Sequence, residues 1–345
     1  MRTGQDTIAE RGKPTLESVA AAAGVSRATA SRVVNDSPNV RPAARAAVER
    51  AIRKLGYVPN RAARSLVTRR SDSIALVVSE PESRVFSEPY FAGMVRSISQ
   101  ALSETDLQLV LVMAQTAEER LRLERYFRQG HVDGALLVSL HGNDSLPEHI
   151  QRTGTPAVLG GRPTRPLDMS YVDVDNKGGA RDAVLHLIER GRTKIATIAG
   201  PADMAVGLDR LAGYRDALRG ARLRAGRELT EHGDFSQDSG FAAMRTLLER
   251  APHLDAVFAA SDLMAAGAMR ALKAAGRSVP ADVAVVGFDD SLTAQYTEPP
   301  LTTVRQPLDQ MGRQMTELLI DEINDPAATR RAVILNTELV VRGSS

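Results

Sequence analysis

The stretch from Thr15 to Asn35, TLESVAAAAGVSRATASRVVN, constrains this chain more than any other. Leu16, Val19, Ala20 and Ala23 recur at helical spacing, Gly24 interrupts them, and Val25, Thr29 and Val33 begin a second helical face behind Ser26. The pattern predicts two short helices joined by a tight glycine turn. Thr15 and Ser26 stand at the N-caps, where a short hydroxyl accepts a bond from a first-turn N–H that has no partner in the helix. The second helix then turns Arg27, Ala28, Ser31 and Arg32 outward. Such a face suits the major groove of DNA, where an arginine forks onto O6 and N7 of guanine and a small alanine leaves room for a thymine methyl. The alternative is a solvated basic helix with no ligand.

The charge distribution favours DNA. The net charge is only +2, yet residues 1–70 carry 14 Lys and Arg against 5 Asp and Glu, a balance of +9, and the remainder sums to −7. A basic head on an acidic body is what phosphate neutralisation by one module requires. The 345 residues imply two or three units. The chain has no cysteine, so disulfide and thiol chemistry are excluded. No apolar run reaches membrane-spanning length, and residues 1–13 form a polar arm without the apolar core of a secretion signal. The expected location is the cytoplasm, beside nucleoid DNA.

A third helix is expected from Pro42 to about Leu55, its stripe of Ala46, Val48, Ala51, Ile52 and Leu55 closing the core of a head spanning residues 14–58. Residues 59–70 follow as a hinge and linker, helix-compatible from Asn60 to Leu66 but too short to hold a helix unaided. TLESVAAAAGVSRATASRVVN followed by LGYVPNRAARSL resembles the lactose-repressor (LacI/GalR) family of bacterial transcriptional regulators, and the likeness runs through nearly the whole chain. The resemblance puts Arg27 and Ala28 on the first specificity positions of the recognition helix and Arg32 on an operator-contacting arginine. It makes Leu66, with Ala63 beside it, the wedge that paired hinge helices press into the minor groove. The DNA-facing set is completed by Thr15, Ser26, Thr29, Ser31, Asn35, Tyr57 and Asn60.

From residue 71 to 345 the pattern changes. Apolar runs at 74–78, 107–112, 132–138 and 157–159 alternate with helical segments such as 93–104 and 117–129. The alternation repeats with runs at 194–199, 256–260 and 283–287 between helices near 176–190, 210–218, 240–250 and 263–275. The expectation is a small all-α helix-turn-helix head and an α/β body of two doubly wound parallel-sheet lobes facing a cleft. The body resembles the periplasmic sugar-binding fold that the repressor family shares. That likeness implies three crossings between lobes, near 174, 301 and 331, with Leu301–Val304 and the helix 308–323 returning to the first lobe and one strand, about 332–341, running back. The absence of a terminal heptad repeat favours a homodimer.

Ligands of such sheets sit beyond the carboxyl ends of the strands. By the resemblance, Arg210 grips the ligand, Asp289 accepts its hydroxyl hydrogen bonds, and Phe235 lies against the apolar face of a sugar ring. Ser261 and Asp262 follow a strand end, and Ser261 stands where many relatives carry asparagine. In the first lobe Ser79, Tyr90, Phe91 and Ser139 lie near strand ends and are candidates to complete the pocket. Each has a plain structural alternative: an internal ion pair for Arg210 and Asp289, core for Phe235, a helix cap for Asp262.

Enzyme signatures are missing from the sequence: no dinucleotide or P-loop glycine motif, no H-E-x-x-H, no G-x-S-x-G, and six histidines without metal-ligand spacing. No cofactor and no metal are expected. The reading is a regulator, not an enzyme, that represses carbohydrate-use genes from a palindromic operator and is released by a sugar, such as a β-glucoside or maltodextrin. The alternatives are a purine-type regulator whose ligand is a co-repressor, and a cytosolic sugar-binding protein or enzyme on the same fold.

Overall fold

The computed structural model describes residues 14–35, 37–58, 70–142 and 144–345, which fall into two compact units divided between Ser71 and Asp72. The expectations for Asn60, Ala63 and Leu66 therefore lie outside the described residues.

The first unit contains α1 (Leu16–Ala23), α2 (Arg27–Val34) and α3 (Pro42–Leu55). Thr15 Oγ1 accepts from Ser18 N, and Ser18 Oγ from Thr15 N, so both ends of a capping box are made at α1. Gly24 ends α1 at φ +64°, a left-handed conformation that favours glycine, and α2 starts from Ser26, whose hydroxyl accepts from Thr29 N. The buried residues Val19, Ala20, Ala30, Val33, Val48 and Ala51 form the core, with Leu16, Val25, Ile52, Leu55 and Tyr57 packed on its edge. Ala30, rather than Thr29, is the buried contact of α2 beside Val33.

The second unit holds two six-stranded sheets. In the first lobe, β1 (Ser73–Val78), β2 (Gln108–Met113), β3 (Gly134–Val138), β4 (Ala157–Gly160), β5 (Ser170–Val174) and a late strand, β11 (Ala332–Leu335), lie in the order β11-β5-β4-β3-β1-β2, all parallel. In the second, β6 (Ile195–Ala199), β7 (Thr230–His232), β8 (Ala256–Ala259), β9 (Ala284–Asp289), β10 (Thr302–Arg305) and β12 (Glu338–Val340) lie in the order β12-β10-β9-β8-β6-β7, and only β12 runs antiparallel. Strands β3 and β6 are buried along their whole length, as strands covered on both faces must be.

The covering helices are α4 (Glu82–Ser87), α5 (Pro89–Leu102), α6 (Ala117–Arg128) and α7 (Leu146–Gln151) in the first lobe. In the second they are α8 (Asn176–Glu189), α9 (Ala205–Gly220), α10 (Gln237–Arg250), α11 (Asp262–Ala274) and α12 (Leu292–Tyr296). The long α13 (Leu308–Asn324) returns to the first lobe, where Met311, Met315, Leu318 and Leu319 join the core of β1, β3 and α5. Each sheet has one apolar cluster on each face.

Two expectations about the crossings are corrected. Thr302–Arg305 pairs with β9 in the second sheet, so the chain crosses after it, around Gln306–Pro307, and not near 301. The single strand expected over 332–341 is two strands: Ala332–Leu335 completes the first sheet beside β5, and after a break Glu338–Val340 completes the second beside β10. In both sheets the order reverses about the first strand, between β1 and β3 and between β6 and β8. Those two switch points bring strand ends together where ligands of open α/β sheets bind.

Candidate functional site

On α2, Arg27, Ala28 and Arg32 are exposed and Ser31 is half-buried, so the predicted groove-reading face is presented. Ser26 Oγ lies 2.9 Å from Thr29 Oγ1, and Asn35 Nδ2 donates weakly to Ser31 Oγ at 3.4 Å. Arg27 is held by Glu17 of α1 at 2.6 Å, with side chains 72% and 60% exposed. A pair that open to water contributes little, so Arg27 can leave it for a base at small cost.

In the second unit a cavity lies between the lobes, with about 760 Å³ of empty space up to and including its open mouth. Arg210 projects into it from α9 and is 3% exposed. Its Nε donates to Asn176 Oδ1 at 2.9 Å, and its Nη1 donates to Ala260 O at 2.6 Å and Asp289 Oδ1 at 3.3 Å. The ring of Phe288 lies 3.6 Å beneath the guanidinium carbon. Gln306 Nε2 donates to the same Asp289 oxygen at 2.7 Å. Burial pushes the Asp289 carboxyl above its usual range, against the pull of Arg210, and pushes Asp173 opposite it the same way. The same burial draws the Arg210 guanidinium down, opposed by Asp289 and Asp173.

Phe235 lines the cavity at φ +72°, and Ser139 and Asp289 at +59° and +117°. Three non-glycine residues in the left-handed half of the map, all at one cavity, mark a site where backbone comfort has been given up for side-chain placement. A Cβ on Gly200 would come within 2.5 Å of the Phe235 ring, so the glycine after β6 is what lets that ring lie where it does.

The first lobe contributes Arg84 and Glu88 from the region of α4, together with Tyr90, Phe91, Ser139, Arg162 and Asp173. Arg84 bridges two carboxylates, Nη1 to Glu80 and Nε to Glu88, each at 2.9 Å, with its guanidinium 5.5 Å from the Phe235 ring centre. Burial raises the Glu88 carboxyl to about 7 despite Arg84.

Of the residues singled out from the sequence, Arg210, Asp289, Phe235, Ser139, Tyr90 and Phe91 line this cavity. Ser261, Asp262 and Ser79 do not. Ser261, 2% exposed, spends its hydroxyl on Met264 N as the N-cap of α11 and on Phe235 O. Asp262 is fully buried and takes Thr303 Oγ1 at 2.5 Å and Ser291 N at 2.7 Å. Ser79 is buried at the end of β1, and the neighbouring Glu80 takes the hydrogen bond of Ser139 in its stead. The sequence reading missed Arg84, Glu88, Arg162, Asp173, Asn176 and Gln306. Asp173 and Asn176 flank the first crossing, where a polar DVDN spans the end of an unrecognised strand, and that was the available signal. Among the described residues there is no cluster of three His, Cys, Asp or Glu able to hold a metal ion, and no helix long and apolar enough to cross a membrane.

A groove-reading helical head and a two-lobed body closed over a small-molecule cavity define a ligand-controlled DNA-binding regulator. Residues 15–60 match the family model of bacterial regulatory proteins, lacI family, and residues 184–345 match the periplasmic binding protein-like domain. The HTH-type transcriptional regulator CelR of Thermobifida fusca is 54% identical over 336 residues, covering 97% of this chain and 99% of that one. A solved structure of a transcriptional regulator CelR–cellobiose complex is 52% identical with a TM-score of 0.78, over 96% of this chain and 100% of that chain. The lac repressor dimer bound to operator and the anti-inducer ONPF is 28% identical with a TM-score of 0.83, over 96% of this chain and 99% of that chain. The chain belongs to the lacI family of bacterial regulatory proteins. It is a DNA-binding transcriptional repressor of sugar metabolism, regulated by a sugar ligand.

Proposed function

We propose that this repressor is a homodimer whose effector is a neutral β-linked glucose disaccharide, with cellobiose as the representative, and that the effector releases it from a palindromic operator. The observation that carries the choice of effector is the charge pairing of the cavity wall. Arg84, Arg162 and Arg210 each already face a carboxylate: Glu80 and Glu88, Asp209, and Asp289. A sugar phosphate or uronic acid would have to take a cation from one of these partners. A neutral polyol meets a wall of donors and acceptors alternating over aromatic rings, which is what hydroxyl groups and apolar ring faces require. The likeness to CelR, solved with cellobiose, supports the same ligand here.

In this reading Arg210, Asp289, Asn176 and Gln306 hold one group of hydroxyls and Phe235 stacks on a ring face, with Tyr90, Phe91 and Ser139 closing the first-lobe side. Arg27, Ala28, Ser31 and Arg32 read base edges. Thr15, Ser26, Thr29, Asn35, Tyr57 and Asn60 hold the backbone, while Leu66, beside Ala63, wedges the centre of the operator. The match to a repressor solved as a dimer on operator supports the two-fold arrangement. DNA affinity falls by the difference in effector affinity between the lobe arrangements that do and do not fit the operator. Calorimetry with cellobiose, glucose and glucose 6-phosphate tests the effector. Binding that is tightest for cellobiose and absent for the phosphate is expected; preference for the phosphate overturns it.

A further inference from the structure

The two lobes touch through more than the cavity wall. At one point on the rim, His141 Nδ1 lies 2.7 Å from Asp203 Oδ2 and Gly142 N donates to Asp203 O at 2.7 Å. His141 and Gly142 follow β3 in the first lobe, and Asp203 lies between β6 and α9 in the second. A Cβ on Gly142 would stand 2.9 Å from that same Asp203 carbonyl, so a side chain here would hold the lobes apart. At a second point Arg162 Nη2 donates to both carboxylate oxygens of Asp209 at 2.7 Å, joining the loop after β4 to the turn of α9 that carries Arg210.

We propose that His141, Gly142 and Arg162 of the first lobe, with Asp203 and Asp209 of the second, form a two-point clasp that holds the cleft closed without ligand and so sets how tightly it retains one. The clasp is wired to the cavity. His141 Nε2 lies 3.3 Å from Glu80 Oε1, Glu80 is paired with Arg84, and Arg84 with Glu88, and the last two line the cavity. A ligand that draws Arg84 or Glu88 toward its hydroxyls therefore pulls on the same chain that reaches Asp203.

The two points differ in their response to pH. The groups facing His141 are Glu80 at the end of β1 and Asp203 across the cleft, with Arg84 of α4 behind Glu80. A protonated imidazole donates to both carboxylates at once, whereas a neutral one has a single N–H and can donate to only one of them. The bonds to Glu80 and Asp203 hold the imidazolium proton up to about pH 9, against burial. Arg162 stays charged throughout.

The chain has no cysteine, so two introduced cysteines, at exposed Leu121 of α6 and exposed Asp238 of α10, take spin labels without background. Inter-label distances in the ligand-free protein then report closure directly. The expected result is one short distance at pH 7, an added longer one in Asp203→Asn/Asp209→Asn, and a partial shift toward the longer one at pH 10 that His141→Gln removes. The charge swap Arg162→Asp with Asp209→Arg should restore the short distance lost in Arg162→Asp alone, which a merely misfolded variant would not do. The cellobiose affinity of the double aspartate variant should fall roughly two- to ten-fold, as for partly exposed pairs that set the competent fraction. An unchanged distance distribution in the double variant overturns the clasp. The cellobiose arm rests on the effector reading; if cellobiose binds neither protein, that reading fails while the ligand-free distances still decide the clasp.

Discussion

Arg210 meets Asp289 at 3.3 Å inside the cleft, with side chains 4% and 18% exposed, and Asp289 does so from a backbone at φ +117°. A non-glycine residue in that region costs on the order of 1–3 kcal/mol unless its surroundings hold it. Arg210 and Gln306, both on the same carboxylate oxygen, are what hold it. The pair thus joins α9, the end of β9 and the segment after β10 at the cavity floor.

Replacing Arg210 with alanine leaves Asn176 Oδ1 buried without its donor and Asp289 without its cation, with Gln306 as its remaining donor from this cluster. Removal of one member of a buried pair costs about 3–5 kcal/mol. The expected outcome is a lower melting temperature for the body and loss of the effector response, with operator binding retained in the cold. Calorimetry and gel retardation check it. Arg210→Lys, which keeps the charge but not the fork, should recover most of the stability and little of the effector affinity.

Gly200 tests the aromatic ring. A methyl group there collides with Phe235, whereas the same change at Gly220, at the end of α9, meets nothing within 4 Å. Gly200→Ala should weaken effector binding about ten-fold or more, while Gly220→Ala leaves it unchanged. Titration calorimetry on the two variants separates displacement of the ring from a general effect of alanine.

At the head, Arg32→Ala should remove about 1–3 kcal/mol of operator affinity and little of the affinity for random duplex. Equal losses on both duplexes would make Arg32 a phosphate contact. The paired measurement must be made at one salt concentration, because the phosphate contribution varies steeply with salt.

The titration of His141 makes the stability of the body depend on alkaline pH. Its imidazole is raised from 6.5 to about 9 in the folded chain, with the bond to Glu80 the largest cause and burial opposing it. A raised value means that the stabilisation is complete below the unfolded value and is lost as pH climbs through the folded one. With the side chain 33% exposed, solvent screening reduces the effect to about 1 kcal/mol, or roughly 2–4 °C. The melting temperature should therefore fall between pH 6.5 and 9.5, and His141→Gln should flatten that slope.

What could be read in the chain beforehand followed from how continuous each apolar pattern is. Ile74–Val78 and the run ending at Val138 are unbroken, Ile195–Ala199 is interrupted only by Thr197, and each is a buried strand. Ser170–Val174 mixes Ser and Asp into its strand because Asp173 serves the cavity, and that polarity hid the element. The short helices α4 and α7, at six residues each, carry too few turns to show a period. With α4 went Arg84 and Glu88, an ion pair whose guanidinium lies 5.5 Å from the Phe235 ring of the other lobe. Ser261 and Asp262 misled in the opposite direction, since polar residues after a strand equally suit a ligand and the first turn of the next helix. Sequence adjacency identifies the strand end but not which way each side chain is spent.

In the proposed function a neutral disaccharide between the lobes governs a DNA-binding head. Gel retardation of a palindromic operator duplex by the intact protein, with and without cellobiose, tests it most directly. A two-fold-symmetric complex on the palindrome, dissociated by cellobiose and left intact by glucose 6-phosphate, is expected. A complex that is indifferent to cellobiose, or one that forms equally well on random duplex, would contradict it.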